Sequence, residues 1–178
     1  MKRILVVIDV QKDFVDGALG NAEAVAIVPN VVKKINEGAW DGIVVTLDTH
    51  GEDYLKTKEG ARLPVVHCIK NTPGWQLDRQ VSEALSKVSL PVLYIEKPTF
   101  GKTSLMSDII STFGDEHLDI TVTGLMTDIC VVSNALILKA AGYDKSDISV
   151  DSACCAGTSP EAHEAALRTM ASCQIDIL

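Results

Sequence analysis

Arg3-Ile-Leu-Val-Val-Ile-Asp9 is an unbroken aliphatic run that ends abruptly in a carboxylate. No polar residue interrupts Ile4 to Ile8, so a strand formed here must be covered on both faces, as central strands of parallel sheets are. Gly42-Ile-Val-Val-Thr-Leu-Asp48 repeats the pattern, again closing on an aspartate. Between the two runs, Val25, Val28, Val32 and Ile35 recur at helical spacing within Ala22 to Glu37, and Gly38 supplies a stop. The alternation continues down the chain. A helix is predicted over Trp75 to Lys87, a strand over Pro91 to Glu96, and a helix near Ser104 to Thr112. A strand follows over Asp119 to Thr123, then a helix from Asp128 to Ala141 ending at Gly142, and a strand over Asp147 to Asp151. Thr158-Ser-Pro-Glu161 reads as a helix start, with a hydroxyl cap, a proline in the first turn and a glutamate as capping-box partner. That helix runs to Ser172, before a short strand near Ile175 to Ile177. The expectation is an α/β fold of three layers, a six-stranded, mostly parallel sheet between helices, forming one domain over residues 1–178. No repeat or low-complexity linker divides the chain, and the longest irregular stretch, Thr49 to Pro73, is long enough to be functional.

Composition narrows the function classes. A hydrophobic fraction of 47% with 22% charged residues supports a sizeable core. A net charge of -8 argues against nucleic acid, which needs a basic face. No apolar run is long enough to span a bilayer and no signal-peptide pattern opens the sequence, so a cytoplasmic protein with reduced thiols is expected. The five cysteines include no CxxC pair, which counts against a zinc ribbon or a thioredoxin-type centre. Cys68, Cys154, Cys155 and Cys173 read as small buried hydrophobes.

Polar residues gather where the predicted strands finish: Asp9, Asp48, Glu96-Lys97 and the turn after Thr123. Ligands of open α/β sheets bind beyond the carboxyl ends of the strands, where strand order switches. Asp9, closing an apolar run, should be partly desolvated, which raises a carboxyl pKa and suits it to proton exchange; a neighbouring lysine such as Lys97 would draw it back down. Gly124-Leu-Met-Thr-Asp-Ile-Cys130 puts a thiol in the first turn of a helix, where unpaired amides favour thiolate and could hold an oxyanion.

These residues lie in motifs that resemble the isochorismatase-like cysteine hydrolases, and within them the nicotinamidase branch. The motifs are Val7-Ile-Asp9-Val-Gln-Lys-Asp13-Phe14, Asp48-Thr-His50, His67-Cys-Ile-Lys-Asn-Thr72-Pro-Gly74, Glu96-Lys97 and Gly124-Leu-Met-Thr127-Asp128-Ile-Cys130, and together they span the chain. The resemblance implies the isochorismatase-like, Rossmann-like hydrolase fold and a triad of Cys130, Asp9 and Lys97. In it, Cys130 forms a thioester, Asp9 moves the proton and Lys97 holds the charges. It also implies a cis Leu125–Met126 peptide and an oxyanion hole from the amides of Met126 and Cys130. Asp48, His50 and His67 match divalent metal ligands, with Glu59 as a further one; zinc is expected, with iron or manganese as alternatives. Phe14 and Phe100 are the rings available to the substrate, because Pro64 stands where the family places an aromatic.

The function implied is hydrolysis of a small carboxamide with release of ammonia, nicotinamide or a related amide, by a self-associating enzyme. A metal-free ureido or carbamoyl amidohydrolase of the same superfamily is the nearest alternative. A phosphoacceptor signalling domain, with Asp9, Asp48 and Lys97 around a divalent ion, is the alternative outside enzymes; a nucleotide-binding module lacks its glycine loop.

Overall fold

The computed structural model describes residues 1–178, and one sheet organises it. Its strands are β1 (Lys2–Ile8), β2 (Gly42–Asp48), β3 (Val92–Lys97), β4 (Leu118–Leu125), β5 (Ser146–Ala156) and β6 (Asp176–Ile177). They lie in the order β3-β2-β1-β4-β5-β6, and every pairing is parallel rather than mostly so. Parallel neighbours need crossovers, and helices supply them: α1 (Lys12–Val15), α2 (Ala22–Glu37), α3 (Lys58–Arg62), α4 (Arg79–Leu85), α5 (Leu105–Phe113), α6 (Val132–Gly142) and α7 (Pro160–Ser172).

The double-sided burial expected of β1 is what divides the core. Ile4, Val6 and Ile8 join the side chains of α5, α6 and α7 on one face. Leu5, Val7 and Val10 join those of α1, α2 and α4 on the other. Alternation along a strand sends successive residues to opposite faces, so a strand sandwiched between two helical layers must be apolar throughout.

Register then assembles the strand ends. Asp48 lies beside Lys97 across β2 and β3, and Ile8 lies beside Gly124 across β1 and β4. The chain runs outward from β1 to β2 and β3, then returns to β4 on the other flank of β1. The switch in strand order therefore falls between β1 and β4, directly below Asp9 and the turn that carries Cys130.

Several elements differ from the sequence reading. The helix expected over Trp75 to Lys87 is only α4, because the Asp78 carboxylate caps it through Gln80 N and Val81 N. Trp75 to Leu77 is held instead by Lys12 N bonding Gln76 O and by an antiparallel bridge between Gln11 and Leu77. The Thr49 to Pro73 stretch contains a tight 3-10 turn at Tyr54–Lys56 and the short α3, capped by Thr57. β5 continues past Asp151 to Ala156, with its register against β4 slipping between Val122 and Gly124 so that extra residues of β5 form a bulge. The N-cap of α7 is Ser159, whose hydroxyl accepts from Ala162 N; Thr158 bonds Asp128 instead. Cys173 is exposed at the end of α7, against the expectation of a buried residue, since it caps the helix rather than facing the sheet. No helix is long and apolar enough to cross a membrane.

Candidate active site

Asp9 stands just past β1 in a left-handed backbone conformation, with φ 49°. The turn aims its carboxylate across the strand ends rather than out to water, and the side chain is fully buried. Lys97, at the end of β3, is also fully buried and brings Nζ to 2.5 Å from Asp9 Oδ2. The same ammonium lies 3.6 Å from Asp48 Oδ1 and 3.6 Å from Cys130 Sγ, and donates to Thr99 O at 3.1 Å. Asp9 Oδ2 and Asp48 Oδ1 receive no directional hydrogen bond, so Lys97 faces both as a point charge. The residues expected to form a triad from three separate strand ends thus converge on one ammonium.

Cys130 does not sit in the first turn of an α-helix. Thr127–Val131 is a π-type turn, and α6 begins only at Val132. The Leu125–Met126 peptide just before this turn is cis, and Gly124 precedes it with φ +118°. The expected lowering of the thiol pKa is reversed. Burial, and then the Asp9 charge, push it well above its ordinary value, with Lys97 only partly opposing them. Asp9 itself is raised, first by burial and in spite of Lys97. Lys97 is raised, because Asp9, Cys130 and Asp48 overcome the burial that alone would lower it. The resting arrangement is a neutral thiol beside a lysine that keeps its charge.

Next to this group, Asp48, His50, Glu59 and His67 bring one donor atom each within 4.8 Å of one another. Asp48 Oδ2 is 2.9 Å from His50 Nε2 and 3.5 Å from His67 Nε2. Glu59 Oε1 is 3.6 Å from His50 Nε2 and 3.8 Å from His67 Nε2. Donors bonded to zinc at its usual lengths stand about 3.3 Å apart at a tetrahedral site, so these separations suit a divalent ion. His67 Nδ1 lies 2.7 Å from the Val65 carbonyl, which can only accept, so Nδ1 carries a proton and, in the neutral ring, the Nε2 lone pair faces the cluster. Burial alone would raise the Asp48 carboxyl, but His50, His67 and Lys97 hold it well below the usual carboxylate range. Burial raises Glu59. His67 is raised because Asp48 and Val65 O outweigh burial.

Both groups open on one cavity of about 350 Å³, which Cys130, Asp48, Glu59 and His67 line together. Phe14 and Phe100 form part of its wall, as does Met126. Leu63 lines it as well, whereas Pro64 is exposed and contributes nothing.

An isochorismatase-domain family model matches residues 3–178. The chain belongs to the isochorismatase family. It is 25% identical to a nicotinamidase of Schizosaccharomyces pombe over a 207-residue alignment covering 98% of this chain and 91% of that protein. It superposes on the nicotinamidase/pyrazinamidase of Bacillus subtilis with a TM-score of 0.82 at 27% identity, over 99% of each chain. The pyrazinamidase of Pyrococcus horikoshii, solved in complex with zinc, gives a TM-score of 0.76 at 26% identity, over 100% of this chain and 99% of that one. This isochorismatase-family protein is an amide-cleaving hydrolase, which removes the phosphoacceptor alternative.

Sequence reasoning missed the residues that hold the site in place. Thr46 donates to Asp9 Oδ1 at 2.6 Å. Gln11 clasps the Asp48 backbone, donating to its carbonyl and accepting from its amide at 2.9 and 2.8 Å. Asn134 on α6 donates to Cys130 O at 2.8 Å and to Phe100 O at 3.0 Å. Thr127 meets His163 Nδ1 at 2.8 Å behind the turn. The available signal was a lone polar residue in an apolar run, which Thr46 within β2 satisfies.

Proposed function

We propose that the protein hydrolyses nicotinamide, or a closely related small carboxamide, to the acid and ammonia through a thioester on Cys130. The carrying observation is the contact of one buried ammonium with Asp9 at 2.5 Å and with Cys130 at 3.6 Å, at the edge of a cavity also lined by Asp48, Glu59 and His67 of the four-residue cluster. A thiol with a raised pKa cannot wait as thiolate, so attack and deprotonation are coupled. Sγ bonds to the amide carbon as its proton passes to Asp9, and the carbon–nitrogen bond breaks as Asp9 returns that proton to the departing amine; water then attacks the thioester carbon as Asp9 takes its proton, and the carbon–sulfur bond breaks as that proton returns to Sγ, releasing the acid. Lys97 balances the charge on Asp9 throughout. The backbone amides of Met126 and Cys130 hold the oxyanion, and Phe14 and Phe100 pack against the acyl group.

Asp48, His50, His67 and Glu59 are the residues to hold a divalent cation, zinc in this reading, with iron or manganese as alternatives. Such an ion would supply a Lewis-acid contact for a nitrogen or a water near the substrate. The relatives bear on this directly: one is named for nicotinamide and another was solved with zinc. Five free cysteines suit a reducing, cytoplasmic setting, and self-association belongs to the same reading, measurable by sedimentation.

The test is ammonia release from a panel of nicotinamide, pyrazinamide, aliphatic amides and ureido compounds, with and without added zinc, manganese and iron. Turnover of the pyridine and pyrazine amides, lost in Cys130→Ala, is the expected result. Turnover of ureido compounds alone, unaffected by metal, would replace this reading with the metal-free one.

A further inference from the structure

We infer that Thr46 decides which oxygen of Asp9 carries the catalytic proton, confining proton transfer to Oδ2. This rests on the reading of Cys130 as nucleophile and Asp9 as its base.

Thr46 is fully buried in β2, and its hydroxyl has one proton to give. Oγ1 accepts from Asp9 N at 3.2 Å and donates to Asp9 Oδ1 at 2.6 Å. That hydroxyl donates to no other group. Suppose the proton taken from Cys130 settled on Oδ1. Oδ1 would then have to donate to Thr46, and the hydroxyl proton would be left buried without a partner, which is disfavoured. Oδ2 carries no such conflict. It receives no directional hydrogen bond, faces Lys97 Nζ at 2.5 Å, and belongs to a carboxylate near enough to raise the Cys130 thiol by charge and by hydrogen bonding. The Thr46 hydroxyl therefore keeps Oδ1 an acceptor. The proton leaving Sγ goes to Oδ2, beside the ammonium, and from there to the amine as the carbon–nitrogen bond breaks. Thr46 touches no reacting atom; it is a positioning residue that acts through Asp9.

Thr46→Val keeps the shape and removes the hydroxyl, whereas Thr46→Ser keeps the hydroxyl and removes the methyl. Two rates are to be measured on folded protein, with melting temperature as the check. One is amide turnover, separated into kcat and KM. The other is alkylation of Cys130 by iodoacetamide, followed on its own peptide by mass spectrometry because Cys173 is exposed and reacts as well. A lost hydrogen bond to a charged group corresponds to roughly 10- to 100-fold in rate. The expected result is a kcat lowered by about that factor in Thr46→Val with KM little changed, a matching fall in Cys130 alkylation, and near-normal rates in Thr46→Ser. Thr46→Val reacting like the unaltered protein would overturn the inference. So would equal losses in both variants, which would make the methyl packing the cause. If no amide is turned over but alkylation follows the expected pattern, the amide reading fails and the Thr46 inference stands.

Discussion

Cys130 reaches its chemistry by a route opposite to that of a pre-ionised thiol. Burial and the Asp9 charge hold it above 9.0, the ordinary thiol value, so no thiolate accumulates at neutral pH and the base must act during attack. The base works only when ionised. Asp9 is raised above the ordinary 3.8, so activity is fully present above its folded pKa and is lost as pH falls through it. The acid limb of kcat/KM should accordingly have its midpoint above 3.8, and no thiol-type ionisation should appear in the profile below pH 9.0. These are properties of the coupled group, not of either residue alone. Lys97 makes that group tenable. Lys97→Met keeps most of the buried volume but leaves Asp9 and Asp48 facing each other without a cation. Breaking a buried ion pair from one side costs about 3–5 kcal/mol, a loss expected in urea titrations at pH 7. The loss should shrink at lower pH. With the ammonium gone, Asp9 rises further, a raised carboxyl favours the fold below its unfolded pKa, and that contribution disappears as pH climbs through the folded value. A penalty unchanged between pH 7 and pH 5 would count against carboxylate charge as its source.

At the scale of elements, the strands and the turn after β4 set the site's dimensions. Gly124 is the tightest point: its φ is +118°, and a Cβ there would lie 2.0 Å from the Ile8 carbonyl oxygen of β1. A backbone atom of a central strand cannot yield, so Gly124→Ala must push β4 away from β1 and shift the Cys130 turn with it. We expect a loss of more than about 3 kcal/mol in chemical denaturation, or no folded protein at all; an alanine variant of unaltered stability would show that the strands are less closely held than the geometry requires. The same elements explain what the sequence disclosed. β1 and β2 were legible because burial on both faces leaves an unbroken aliphatic signature. The far half of β5 was not, since Asp151 and Ser152 sit in a bulge whose cause is the register against β4. α4 was overextended because Trp75 and Leu77 are apolar for a different reason, packing against the α2 side of the core. Of the site, the ionisable residues could be read from their positions at strand ends. Thr46 stood out as the lone polar residue in the middle of β2, but its partner did not, and Gln11 and Asn134 left no signal at all, because a hydrogen bond made across 37 residues, as from Gln11 to Asp48, leaves no local pattern. The π turn was equally hidden, its residues being compatible with an ordinary helix start.

At the scale of the whole molecule, the four-residue cluster ties the end of β2 to the long segment that follows it. Asp48 comes from the sheet, His50 from just beyond it, Glu59 from α3 and His67 from the chain returning towards Cys68. Hydrogen bonds also hold that segment in place: Cys68 N to Asp13 Oδ2 at 2.8 Å, Tyr54 Oη to Leu63 O at 2.9 Å and Trp75 Nε1 to Thr49 Oγ1 at 2.8 Å. An ion bound by all four residues would add a cross-link that exists only in the folded state, and its binding free energy would appear as stability. At a free metal concentration one hundred times Kd the gain is about 2.7 kcal/mol, which for a chain of this size corresponds to a rise in Tm of roughly 5–10 °C. Protein stripped with a chelator and titrated with zinc should show that rise, saturating with added metal. His67→Ala removes a donor while leaving Asp9, Lys97 and Cys130 untouched, so it should abolish the zinc-dependent rise without preventing folding. Zinc-dependent stabilisation of equal size in His67→Ala would place the metal elsewhere, while its absence in the unaltered protein would assign the cluster to a hydrogen-bonded role in shaping the cavity wall.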